Sequence, residues 1–215
     1  FQNLPKNWVI YQEFFFADAT TFLQYNTNMR SLVVDKLNTC ELVVFNRYTD
    51  AIDKMALHKI VRGISRRPDI AYEYTNGDVE YDEIEDPLPF DVNAPIIEIA
   101  DEDYALWYRD MGENLDTYDG KTVHFKGMVA HNRQLPADAF VIGRDVMTCC
   151  VEDITFAGMV AQWQGAIALG QKDWVTVTAE IRMQEHKLYG RRGPVLKITK
   201  LEKAAPPDQP VATFY

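Results

Sequence analysis

Serine is almost missing from this chain: Ser31 and Ser65 are the only two in 215 residues. Neither lies in a G-x-S-x-G elbow, so hydrolysis by a nucleophilic serine of that type is excluded. Cysteine is scarce as well. Three are too few for a disulfide framework, and the odd count leaves at least one thiol unpaired within a monomer. Long apolar runs are also lacking: stretches such as Phe156 to Val160 or Leu42 to Phe45 fall far short of the roughly 18 residues a membrane helix needs, so a soluble chain is expected. From Glu73 to Tyr108 there is no Lys, Arg or His. The formal net charge is -10 and the pI about 4.9, a balance that repels a polyanion unless a local basic groove overrides it. Nucleic acid is therefore a disfavoured partner. The chain starts on Phe1 without a signal-type pattern and reads as a trimmed or processed piece.

What is present is apolar and aromatic: 47% hydrophobic residues suffice for a sizeable core, in one large domain or two small ones. Residues 7 to 16, with Trp8, Val9, Ile10, Tyr11 and Phe14 to Phe16, suit a buried strand. Asp18 or Thr20 can cap a helix carrying Phe22, Tyr25, Met29 and Val33 at three-to-four-residue spacing. Cys40 to Tyr48 reads as a strand buried on both sides, with Cys40 an inert core thiol. Asp50 is placed to cap a second helix bearing Leu57, Ile60, Val61 and Ile64, which Pro68 ends. Asn76-Gly77 marks a hairpin. It runs into an acidic, proline-bearing connector of solvated carboxylates, which sets a boundary between an N-terminal α+β region at 1–95 and a second domain at 96–215.

That second domain opens with a short strand at 95–99 and a helix at 102–112 capped by Asp101, with Trp107 facing the core. Beyond Gly120 the hydrophobic period becomes two. Strands are predicted at 122–130, 139–148, 154–163, 174–185 and 195–201, with glycines marking bends and Pro206, Pro207 and Pro210 carrying an extended tail. Five short, coiled strands with a small insertion before the fourth indicate an OB-like barrel at 115–204, a sandwich being the alternative. The fold class is α+β, mainly β.

Met147-Thr148-Cys149-Cys150, followed by Val151-Glu152-Asp153, ends the second of these strands. Neighbouring side chains on a regular strand point to opposite faces, so Cys149 and Cys150 can share one metal only if the strand stops there in a turn. With His131, His186 or Asp153 nearby, the thiolates would make a soft site for Zn or Cu. A vicinal disulfide would suggest a redox switch, and plain core packing of one thiol with the other under a loop is the simplest alternative. The spacing supplies no C-x-x-C or H-x-x-x-H pattern. Together with the missing nucleophile constellations, this argues against an enzyme.

The pieces Ile97-Glu98-Ile99-x-Asp101-Glu102-x-Tyr104, Tyr118-x-Gly120-Lys121-x-Val123-x-Phe125-x-Gly127-x-Val129, Phe140-Val141-Ile142-x-Arg144 and Met147-Thr148-Cys149-Cys150 resemble a bacterial permease-subunit family. Gly158, Trp174-Val175-x-Val177 and Pro194-Val195-Leu196 extend the resemblance, which spans Ile96 to Tyr215. Members are membrane proteins with a soluble C-terminal region, encoded with a larger multi-spanning permease. The resemblance implies the soluble, extracytoplasmic domain of a membrane-anchored accessory subunit, a binding and interaction module with that permease as partner.

Overall fold

A computed structural model describes residues 5–148, 151–164 and 168–214. The chain divides into two compact units, Phe1–Asp86 and Pro87–Tyr215.

The first unit is an α/β layer. Strand β1 (Phe14–Asp18) is followed by helices α1 (Phe22–Asn28) and α2 (Arg30–Thr39), then β2 (Leu42–Tyr48), α3 (Lys54–Ile64), β3 (Asp69–Tyr74) and β4 (Val79–Tyr81). The sheet order is β1-β2-β3-β4, with the first three strands parallel and β4 returning antiparallel through Asn76-Gly77. Gly77 sits at φ +92°, a left-handed conformation that glycine adopts without steric cost. Val43, Phe45, Ile70 and Tyr72 form one core with Phe22, Val33, Leu37, Leu57, Val61 and Ile64, so the helices cover one face of the sheet. Cys40 is buried in that core.

Several expectations change here. The aromatic run does not form one buried strand from residue 7. Pairing of the edge strand begins only at Phe14 opposite Leu42, and without a partner before it Trp8, Val9 and Tyr11 stay exposed. The first helix breaks at Met29 (φ -134°, ψ 41°), straight after Asn26-Thr27-Asn28, which are weak helix formers. Its buried stripe is Phe22, Asn26, Val33 and Leu37, while Tyr25 and Met29 face solvent. Asp53 rather than Asp50 caps α3, its carboxylate accepting from the Ala56 N–H at 3.0 Å.

The second unit holds β5 (Ile97–Glu98), α4 (Tyr104–Glu113), α5 (Leu115–Tyr118), β6 (Thr122–Ala130), β7 (Ala139–Met147), a 3-10 turn at Val151–Asp153, β8 (Thr155–Gln162), β9 (Trp174–His186), β10 (Arg191–Lys203) and β11 (Val211–Thr213). Five strands close in the cyclic order β6-β7-β8-β10-β9, all pairs antiparallel except β8 with β10. This is the OB-like barrel. Its interior is the alternate set Val123, Phe125, Val129, Phe140, Ile142, Met159, Ala161, Val175, Val177, Ala179 and Ile181, joined by Tyr104, Trp107 and Met111 of α4. The alternation is forced by the pleat, which sends successive side chains to opposite faces.

Two glycines let the barrel coil. Gly143 of β7 pairs with Gly158 of β8, and a Cβ on Gly143 would lie 2.5 Å from the Gly158 Cα. No side chain fits between those backbones. Helix α4 starts at Tyr104 after Asp103, so Asp101 does not cap it; Asp101 has ionic work instead.

Candidate functional site

On β7 the inward positions run Phe140, Ile142, Arg144, Val146: a cation stands in phase with the core. Arg144 is 1% exposed. Strand β6 pairs β7 only across Val141 to Gly143, and past that point the same edge of β7 is taken by β11, which runs parallel to Asp145–Met147. Arg144 therefore lies where the barrel strand gives way to the C-terminal tail.

Its guanidinium fastens two segments to the barrel. Nη1 donates to the Asp101 carbonyl at 2.6 Å and reaches the Asp101 carboxylate at 3.4 Å, while Nη2 donates to the Gln209 carbonyl at 2.5 Å. The Tyr104 and Trp174 rings lie 5.6 and 5.8 Å from the guanidinium carbon, within cation–π range. The Asp101 carboxylate is shared with Lys126 of β6, at 2.9 Å. Nε of Arg144 is buried with no acceptor among the described residues. Burial pulls the Arg144 pKa below its ordinary value, with Asp101 and then Tyr104 acting in the opposite direction.

Beside this anchor is an open cleft of about 540 Å³ lined by Asp101, Glu102, Arg144, Asp208, Gln209 and Val211 to Thr213. Glu102 and Asp208 are exposed on its rim. The wall is thus made of the β5–α4 connection and the tail, both held by one buried arginine. Chemically it offers the carboxylates of Asp101, Glu102 and Asp208 beside Val211 and Ala212, a surface suited to a cationic or hydrogen-bonding partner.

A second polar cluster is wholly inside the first unit. His58 Nδ1 lies 2.7 Å from Asp82 Oδ2, and the Tyr72 hydroxyl donates to Asp82 Oδ1 at 3.0 Å. Side-chain exposure is 3% for His58 and 1% for Asp82. Not every carboxylate of the acidic stretch is solvated: Asp82 is drawn in by two donors that need an acceptor. Burial, followed by Asp82, raises the Tyr72 pKa, which keeps the phenol a donor. The Lys54 ammonium lies 4.7 Å over the Tyr72 ring. The dyad ties α3 to the strand end after β4 and serves stability.

The metal-ligand set anticipated from sequence falls partly outside the described residues. Cys149 and Cys150 lie outside them. His131 donates from Nε2 to the Leu169 carbonyl at 2.7 Å and from its backbone N–H to Gln171 Oε1 at 2.7 Å, so it straps the segment before β9. Asp153 Oδ1 accepts from the Thr148 N–H at 3.1 Å, making the turn after β7. His186 Nδ1 accepts from the Leu188 N–H at 3.2 Å in the β9–β10 turn. Among the described residues no group of three or more His, Cys, Asp and Glu is placed to hold a metal ion. No site motif surrounds Arg144 in the sequence. The available signal was its parity: it occupies an inward position of an otherwise apolar strand.

The β6–β10 barrel, its leading helix and its tail coincide with a known sequence pattern, that of the DUF1980 C-terminal domain, which matches residues 75–212. The chain belongs to this family. The DUF1980 C-terminal domain thus takes in β4, the acidic connector, the closed barrel, Arg144 and the cleft. No curated protein matches the chain. Among solved structures, that of a protein described as an aspartyl-tRNA synthetase from Leishmania major Friedlin shares 17% identity over 42% of this chain and 19% of its own, with a TM-score of 0.28. A likeness that loose carries no argument about fold or function. No described helix is long and apolar enough to cross a membrane.

Proposed function

We propose that the DUF1980 C-terminal domain of this chain is a binding and interaction module, the extracytoplasmic part of a membrane-anchored accessory subunit that works with a multi-spanning permease. The observation that carries the binding reading is the cleft beside Arg144, built from two segments that the arginine pre-positions. A preformed cleft avoids the ordering cost that a mobile one would incur on binding. Its exposed rim residues Glu102 and Asp208 fit a partner loop carrying Lys or Arg. The permease as that partner rests on the resemblance of Ile97 to Tyr104, Tyr118 to Val129 and Phe140 to Arg144 to permease-subunit proteins. The role assigned is recognition, not catalysis, and nucleic acid is disfavoured by the net charge of -10.

The test is co-purification of the full-length parent protein with the permease encoded beside it, in mild detergent, for wild type and for Glu102→Lys with Asp208→Lys. Association that the double charge reversal weakens at least about tenfold supports the reading, since two rim charges facing cations steer and hold a complex. No association of the wild type, or association indifferent to the reversal, overturns it.

A further inference from the structure

Among the described residues the helices of the first unit pack on one face of its sheet, and the other face carries an apolar patch bordered by Asp18, Asn46, Asp69 and Glu73. Parity places Phe14 and Phe16 of β1, Leu42 and Val44 of β2, Ala71 of β3, and Val79 and Tyr81 of β4 on that uncovered face, none of them part of the helix-side core. Phe14 is 50% exposed, Phe16 62%, Val79 57% and Tyr81 60%, while Leu42 and Val44 are half-buried and Ala71 is buried at 2%. The Phe14 and Phe16 rings lie 6.2 Å apart and form one ridge. We propose that this face is a self-association surface, on which a second copy of the chain packs sheet to sheet about a two-fold axis.

The register makes the face self-complementary. Across the sheet one row reads Phe16, Val44, Ala71, Tyr81, each directly beside the next. A two-fold axis between Val44 and Ala71 brings Phe16 of each copy over Tyr81 of the other, and Val44 over Ala71. Large meets large at the rims and medium meets small at the centre, so two sheets can close to the roughly 10 Å spacing of stacked layers. An isologous contact of this kind is the commonest way identical chains associate.

Area agrees. With about 200 Å² for a whole aromatic side chain, the three half-exposed rings offer about 350 Å², and Val79, Leu42 and Val44 bring a copy to about 500 Å². Two copies then bury about 1,000 Å², the level at which a specific interface becomes plausible. Charge speaks against a lipid surface as the occupant. The ionisable residues that share the face on β3 are Asp69 and Glu73, which anionic headgroups repel. The inference is independent of the permease reading, since it concerns strands that lie mostly before residue 75.

The experiment is sedimentation velocity of the 215-residue chain over a wide concentration range, for wild type, Phe16→Glu, Tyr81→Lys and the control Phe156→Glu on β8. Folding of each variant is checked by circular dichroism. A concentration-dependent dimer is expected for wild type and control, with the dissociation constant raised at least about tenfold in either face variant. Phe16 and Tyr81 lie on opposite edges of the sheet, so one variant suffices if the other fails to fold. A wild type that stays monomeric throughout, a dimer that survives both face variants, or one that Phe156→Glu dissolves equally well overturns the proposal. Flotation of a monomeric wild type with neutral phosphatidylcholine vesicles overturns it in favour of lipid.

Discussion

Arg144→Met separates two effects of the buried guanidinium. Methionine keeps much of the aliphatic stem, so no large cavity opens, and it removes a cation whose burial costs several kcal/mol. It also removes charge-assisted bonds to the carbonyls of Asp101 and Gln209, each worth about 1.5–3 kcal/mol. Both residues line the open cleft, where water can replace the lost donor. The two effects oppose each other in global stability, and the unfolding free energy of the barrel is expected to change by about 1 kcal/mol or less. Locally the relief from burying a cation does not reach the tail, and water that satisfies the Gln209 carbonyl does not tie it to β7. Strand β11 has three residues, and its fastenings are the β7 pairing, the Gln209 bond and Arg109, whose guanidinium carbon is 4.2 Å from the Phe214 ring centroid. Removing about 1.5–3 kcal/mol from that set speeds amide exchange in the tail by about 10- to 150-fold. Hydrogen exchange read by mass spectrometry on peptides covering 208–214, with 174–186 as the internal reference, is the assay. Unchanged protection of the tail would refute the anchoring role, and equal loss across both peptides would refute the separation. Arg144→Lys, which keeps the charge without the planar fork, is expected to fall between wild type and Met.

Gly143→Ala forces a methyl group against the β8 backbone at Gly158 and is expected to destabilise the barrel by at least about 2 kcal/mol, measured as a lowered urea midpoint; a midpoint within error of wild type refutes the close approach. Asp82→Ala strips the acceptor from buried His58 and Tyr72 and should cost about 2–4 kcal/mol in the unfolding of the first unit, followed by the near-ultraviolet signal of its tyrosines, while Asp82→Asn retains part of it. Burial pushes the Cys40 thiol up to about 11 from 9.0, so the native chain holds that proton more tightly than the unfolded one. The resulting contribution is intact below about pH 9 and fades as pH rises towards 11, and Cys40 should resist iodoacetamide at neutral pH in peptide-resolved mass spectrometry until the first unit unfolds.

How much of this was legible beforehand varies with the range of the interaction. The period-two stretch from Thr122 to Ala130 coincides with β6, and the start of β9 at Trp174 is where alternation begins, because one buried face writes itself into every second residue. β10 runs from Arg191 to Lys203, longer than its apolar pattern from Val195 to Leu201, since its ends pair with β9 through polar residues that carry no hydrophobic signal. Asp101 illustrates the opposite case. A capping residue and an ion-pair partner look identical in sequence, and the contest was settled by Lys126 and Arg144, 25 and 43 residues away. The same holds for Asp82, which composition assigned to a solvated run and which two donors on α3 and β3 drew inside.

By itself, then, the order of residues determined where most of the strands and helices lie and that five coiled strands would share one interior, because those are consequences of local period and of glycine and proline placement. Only the tertiary structure decided that β6 leaves β7 at Gly143, that Arg144 pins the tail in its place, and that the described helices of the first unit pack on one face of its sheet. These depend on which distant backbones come within hydrogen-bond reach, and no single strand carries that information in its own pattern.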